Sequence, residues 1–305
     1  MRSINNELAN RLNNLKKEKN AVLLVHNYQR PEVQDVADFL GDSFGLSVQA
    51  SKTDADVIVF CGVRFMAETA KILNPSKTVI HPEPDAMCPM AAMIDSEGLR
   101  LMKKEHPDAV TVGYVNTTAD VKTEIDICCT SANAVKVVKS IKENKLIFVP
   151  DSNLGLFIKK HVPEKEIILW PGFCPTHQNI TKEDLLALKK NHPDSEILVH
   201  PECTPDIIDI ADFVASTEGI IRYVRSSRKH EFIIGTEREI CYRLRNDNPG
   251  KLFYHTEKSI CPNMKKITID KVIHSLEHLD HKVELDKETM EKARIPLKKM
   301  IEIGN

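Results

Sequence analysis

The chain has 305 residues, 42% of them hydrophobic, and sets 42 Lys and Arg against 44 Asp and Glu for a net charge of −2. That length holds one large or several small cores, and the composition is that of an ordinary folded protein rather than a disordered one. Interleaved charges of both signs argue against nucleic acid as the main partner, because a phosphate backbone calls for a basic field.

The N-terminal stretch "MRSINNELANRLNNLKKEKN" lacks the apolar core of a signal peptide. It predicts an amphipathic helix with Ile4, Leu8, Leu12 and Leu15 on one face. No later apolar run reaches membrane-spanning length. A cytoplasmic protein with reduced thiols is expected, so its eight cysteines read as buried residues or metal ligands rather than disulfides.

From there the chain runs through apolar strands and helix-period segments in a repeating order. The first unit reads "LLVHNYQ", a helix from Pro31, "ADFLGDS", a helix, "VIVFCGV", a helix, then "TVIHPEPDAMCPM". The second reads "VTVGYVNTT", "IDICCTSAN", "KLIFVPDSN" and "EIILWPGFCPTH". The third reads "EILVHPECT", "ADFVASTEG", "EFIIGTERE" and "KLFYHTEKSICPNM". Near-continuous apolar strands alternating with helices predict an α/β fold, with parallel sheets covered on both faces. The expected units are 1–105 with the N-terminal helix, 106–192, and 193–305 with the C-terminal helices.

The units match in register. His26, Tyr114 and His200 end the first strands, spaced by 88 and 86 positions, and Tyr28, Asn116 and Glu202 follow two residues later. Ser43, Ser131 and Thr217 follow the second strands at the same spacings. The fourth strands lead to three Cys-Pro steps at Cys88, Cys174 and Cys261, 86 and 87 apart.

Ligands of parallel α/β sheets bind beyond the carboxyl ends of the strands, where all these positions fall. Three units around a pseudo-threefold axis would bring the three cysteines to one centre. Proline after each removes a backbone donor and fixes the turn that presents the sulfur. The spacing matches neither a local zinc-finger pattern nor a clustered ferredoxin run. Three thiolates on a cubic [4Fe–4S] cluster would leave one iron open, as a Lewis-acid catalyst needs. Cys61, Cys128, Cys129, Cys203 and Cys241 read as small buried hydrophobes.

Taken singly, Ser43, Ser131 and Thr217 would be helix N-caps; facing one cavity, they would also suit an anion. His26, His177 and His200 are candidate polar groups of the centre, and His177 stands three residues after Cys174. The carboxylate of Glu202 or the phenol of Tyr28 is placed to move protons.

The motifs "HNYQRPEVQDVADFLGDS", "FMAETAKILNP", "CPMA", "YVNTTADVK", "CTSANAV", "CPTHQ", "VHPEC", "AST" and "NMKK", in that order, make the chain similar to the quinolinate synthase family over essentially its whole length. The resemblance implies three similar α/β/α domains around a central [4Fe–4S] cluster held by Cys88, Cys174 and Cys261. It implies condensation of iminoaspartate with dihydroxyacetone phosphate to quinolinate, phosphate and two waters, in NAD biosynthesis. An aspartate oxidase or dehydrogenase would supply the iminoaspartate.

Family substrate-site positions fall on His26, Tyr28, Ser43, Tyr114, Asn116, Ser131, His177, His200, Glu202, Ser216 and Thr217. Tyr28, Glu202 and His200 are the catalytic candidates; the others would hold carboxylates and phosphate. The chain departs from the family pattern at Glu218, inserted between "AST" and Gly219, and at Phe173, where histidine is frequent. If the turn at Gly219 needs positive φ, the geometry at Thr217 changes. Two other function classes fit part of this pattern: a zinc hydrolase using two cysteines and a histidine, and a non-enzymatic iron–sulfur sensor of small anions. No basic helix-turn-helix output domain accompanies the latter.

Overall fold

The computed structural model describes residues 6–304, so Ile4 of the predicted first helix lies outside the described residues. Twelve strands form three separate four-stranded sheets. The first holds β1 (Ala21–His26), β2 (Phe39–Gly41), β3 (Val57–Cys61) and β4 (Thr78–Ile80). The second holds β5 (Val110–Tyr114), β6 (Ile127–Cys129), β7 (Lys145–Val149) and β8 (Glu166–Leu169). The third holds β9 (Glu196–Val199), β10 (Phe213–Val214), β11 (Glu231–Gly235) and β12 (Leu252–His255). Every pairing between these strands is parallel, and the strand order is the same in each: second, first, third, fourth. Three α/β/α units are therefore present, as the repeat predicts.

The repeat extends to single hydrogen bonds. In each unit an aspartate just before the second strand accepts the N–H of a first-strand residue at 2.8 Å: Asp38 from Leu23, Asp126 from Thr111, and Asp212 from Ile197. Such a bond ties the edge strand's approach to the central strand and fixes its register. Central strands such as β3 are buried throughout because helices cover both faces.

Helix starts follow from sequence. Asp42 caps the helix Ser43–Lys52, Asp151 the helix Ser152–His161, and Ser216 the helix Thr217–Ser226, each side chain accepting a backbone N–H three residues on. The first helix, Asn6–Glu18, buries Leu12 against Leu23 and Val25, with Leu8 and Leu15 packed on the same cluster. That cluster also takes Val272, Ile273 and Leu276 of the helix Ile269–His278. The last helix, Lys287–Gly304, packs on β6 and on helices of the first two units. The chain's end thus covers the first two units rather than extending the third.

Candidate active site

With order second-first-third-fourth, the chain reverses direction between the first and third strands, leaving a crevice at their carboxyl ends. All three crevices open on one cavity of about 190 Å³. It is lined by His26, Tyr28, Ser43, Cys88, Tyr114, Asn116, Ser131, Cys174, His177, His200, Glu202, Thr217 and Cys261. These include all four matched sets, drawn from all three units.

Ser216 is the exception among the predicted residues. It does not line the cavity; its hydroxyl caps its helix by accepting Gly219 N–H at 3.3 Å. Because Asp42 and Ser216 take the capping role, Ser43 and Thr217 are first helical residues, not caps. Ser131 sits in the turn ahead of the helix Ala134–Ser140. The three hydroxyl side chains therefore face the cavity instead of their own helix ends. Gly219 lies inside a helix, and Gly250 is the one glycine with positive φ among the described residues, so the inserted Glu218 distorts no turn. Glu218 instead pairs with Arg243 at 2.5 Å. Phe173 N–H meets the Met93 sulfur at 3.4 Å in place of any histidine contact.

Polar contacts cross the cavity. The Tyr28 hydroxyl meets Thr236 Oγ1 at 2.5 Å, and the same oxygen meets His177 Nε2 at 2.8 Å. His177 Nδ1 lies 2.7 Å from Glu202 Oε2 and 3.1 Å from Cys174 Sγ. Tyr114 donates its hydroxyl to Glu202 Oε1 at 2.5 Å. His200 stacks on His177 with centroids 4.8 Å apart, and its Nε2 meets Ser131 Oγ at 3.1 Å. One continuous chain thus runs Tyr28–Thr236–His177–Glu202–Tyr114 across the units.

Burial sets the protonation states. It drives His26 and His200 down to about 3, so both rings are neutral near pH 7. It raises the Tyr28 and Tyr114 phenols, which stay hydrogen-bond donors. Burial would also raise Glu202, but its neighbours His200 and His177 and the hydrogen bonds from His177 and Tyr114 hold it well below the usual carboxylate range. Asn116 lines the cavity, and its Oδ1 is buried with no partner.

The three Cys-Pro steps share one local geometry. A short helical turn follows each cysteine: Ala91–Met93, Pro175–Gln178 and Met264–Lys266. Backbone N–H groups of these turns reach the sulfur: Met90 and Ala91 at Cys88, His177 at Cys174, and Asn263 and Met264 at Cys261. Burial raises all three thiols, Cys88 to about 12, so they keep their protons until a metal displaces them. Three soft donors with N–H groups aimed at sulfur fit an iron–sulfur cluster, whose thiolates are stabilised by such bonds. A different set, Cys174, His177 and Glu202, has donor atoms within 4.8 Å of one another, close enough for a single ion. Cys61, Cys128, Cys129, Cys203 and Cys241 are buried in strands, a helix or a strand-end turn.

Sequence reasoning missed Thr236, Asp151 and Glu237. Asp151 and Glu237 are 86 positions apart at the ends of β7 and β11, so the same register finds them once the third strands are compared. Val63 holds the corresponding place after β3. Glu237 pairs with Lys265 at 2.8 Å and accepts the Cys261 N–H at 3.3 Å.

Fold and site together define a triplicated α/β protein whose units pool their strand-end residues in one thiol-lined cavity. The model of the family described as Quinolinate synthetase A protein matches residues 10–302. A quinolinate synthase of Sulfurihydrogenibium sp. is 54% identical over 98% of this chain and 99% of its own. Those of Thermodesulfovibrio yellowstonii (53%; 94% and 95%) and Aquifex aeolicus (50%; 98% and 94%) are similar along nearly their whole lengths. The chain belongs to the quinolinate synthase family, and it is an enzyme. Among the described residues, no helix is long and apolar enough to cross a membrane.

Proposed function

We propose that this protein is a quinolinate synthase, condensing iminoaspartate with dihydroxyacetone phosphate to quinolinate, phosphate and two waters. The observation that carries the reading is the shared cavity, to which each unit sends one Cys-Pro cysteine and one first-strand turn. Cys88, Cys174 and Cys261 are the proposed holders of a [4Fe–4S] cluster. When bound, the cluster supplies an iron without a protein ligand, a Lewis acid that polarises substrate oxygen.

The protein's own groups divide the remaining work. Ser43, Ser131, Thr217 and Asn116 are proposed to hold carboxylate and phosphate oxygens or their counterparts, with His26 beside them. His177 sits between Thr236 and Glu202, so the chain from Tyr28 to Tyr114 is proposed to carry protons within the cavity. Ionised Glu202 accepts a proton, neutral His200 steadies the substrate against Ser131, and Tyr28 donates. Ser216 belongs to this proposal as the cap that sets Thr217. The domain division 1–105, 106–192 and 193–305 is kept, with the last helix as a brace over the first two.

The spacing of Cys174, His177 and Glu202 favours a second reading, a single-ion hydrolase. There His177 would have to give up its hydrogen bond to Glu202. An anaerobic assay with oxaloacetate, ammonia and dihydroxyacetone phosphate tests the first reading. Quinolinate formation is expected; none by iron-replete protein would reject it.

A further inference from the structure

Lys122 is fully buried and forms no ion pair among the described residues, a rare state for an ammonium group. Its Nζ donates to the carbonyls of Val115, at 2.8 Å, and Thr117, at 2.5 Å. These flank Asn116, which lines the cavity and whose Oδ1 is buried without a partner. On its other side the ammonium lies 5.6 Å from the centre of the Phe65 ring, which belongs to the first unit.

The first unit holds the same device. Gln34 stands 88 positions earlier, and its Nε2 donates to the carbonyls of Asn27, at 3.1 Å, and Gln29, at 2.8 Å. These flank Tyr28. In the third unit Ile208 occupies the corresponding place, and the Glu202 carbonyl accepts from Asn153 of the second unit instead, at 3.2 Å.

We infer that Gln34 and Lys122 are positioning residues that clamp the turns bearing Tyr28 and Asn116, and that Lys122 adds a positive charge beneath Asn116 for an anionic substrate. In the first unit the neutral amide of Gln34 makes the two flanking bonds and the Lys265 ammonium donates to the Tyr28 carbonyl between them, whereas in the second unit one ammonium makes both flanking bonds. No lysine or arginine is among the residues lining the cavity, and Lys122 lies just behind its wall. Burial lowers its pKa to about 8, so it keeps its proton at neutral pH. The charge role rests on the substrates proposed above; the clamp does not.

Replacing Lys122 with Gln keeps two donors and removes the charge; replacing it with Met removes both. With iron content unchanged, Lys122→Gln is expected to raise KM about tenfold and leave kcat within about threefold. Lys122→Met is expected to lose kcat about 100-fold as well, because a loosened turn misplaces Asn116. Amide hydrogen exchange at residues 114–118 reads the clamp without reference to the reaction: faster in Lys122→Met, near wild type in Lys122→Gln. Should Lys122→Met fail to fold, Gln34→Leu is expected to speed exchange at residues 26–30 and lower kcat. The inference falls if exchange is unchanged in the Met or Leu variant, or if Lys122→Gln is as damaged in kcat as Lys122→Met. Wild-type protein that forms no quinolinate would instead count against the function proposed above, leaving the exchange result to judge the clamp.

Discussion

Two rings of residues surround the cavity, and they are built on opposite plans. The ring of cysteine turns is threefold alike: Cys-Pro, a short helical turn, and N–H groups on the sulfur. The ring of first-strand turns is threefold different, with Tyr28, Asn116 and Glu202 at one matched position. Like donors suit a group with repeated corners, whereas an unsymmetrical substrate needs a different group on each side. The repeat keeps residue type at the cysteine turns and varies it at the first-strand turns.

Breaking the symmetric ring has the largest expected effect. Cys174→Ser should abolish cluster binding and lower quinolinate formation by roughly 1,000-fold or more, since it removes one of three metal donors. Iron analysis and product assay together check it. Breaking the asymmetric ring should be milder and leave iron in place. Tyr28→Phe is expected to slow turnover roughly 100- to 10,000-fold, the span of general acid–base contributions. Unchanged turnover would remove Tyr28 from the proton path.

Acid sharpens the same contrast. His26 and His200 are neutral in the fold down to about 3, whereas in the unfolded chain they bind protons as pH falls through about 6.5. The unfolded state therefore holds more protons in that window, and stability is lost as pH drops from about 6.5 toward 3. The slope should be on the order of 1 kcal/mol per pH unit for each histidine. Urea unfolding midpoints at several pH values measure it, and His26→Gln should flatten the curve. The smallest effect is expected for Cys203→Ser, outside both rings. Its sulfur only donates to the Gly235 carbonyl at 3.3 Å, so iron and turnover should stay near wild type, with stability lower by about 1 kcal/mol.

The rings were legible in the sequence to different degrees. Strands, their order of appearance and the cysteine turns repeat in residue type, so spacing alone aligned them. Asp151 and Glu237 escaped because Val63 breaks the chemical likeness at the third-strand ends, leaving no matched trio to notice. Nothing in "ADVKTE" marks Lys122 as buried; only the fold brings its ammonium to the carbonyls on either side of Asn116. Ser216 and Thr217 are neighbours with opposite duties, and a one-residue shift at a helix start is beyond what hydroxyl patterns resolve. The last helix is expected among the C-terminal helices, but its docking site lies on the first two units, which its own residues do not reveal.

The most direct measurement is metal analysis of protein purified without oxygen, alongside its Cys88→Ser, Cys174→Ser and Cys261→Ser variants. Iron and acid-labile sulfide in equal amounts in the wild type, lost in each variant, is the predicted result. Stoichiometric zinc without iron, or iron retained when any one of the three sulfurs is removed, would contradict it.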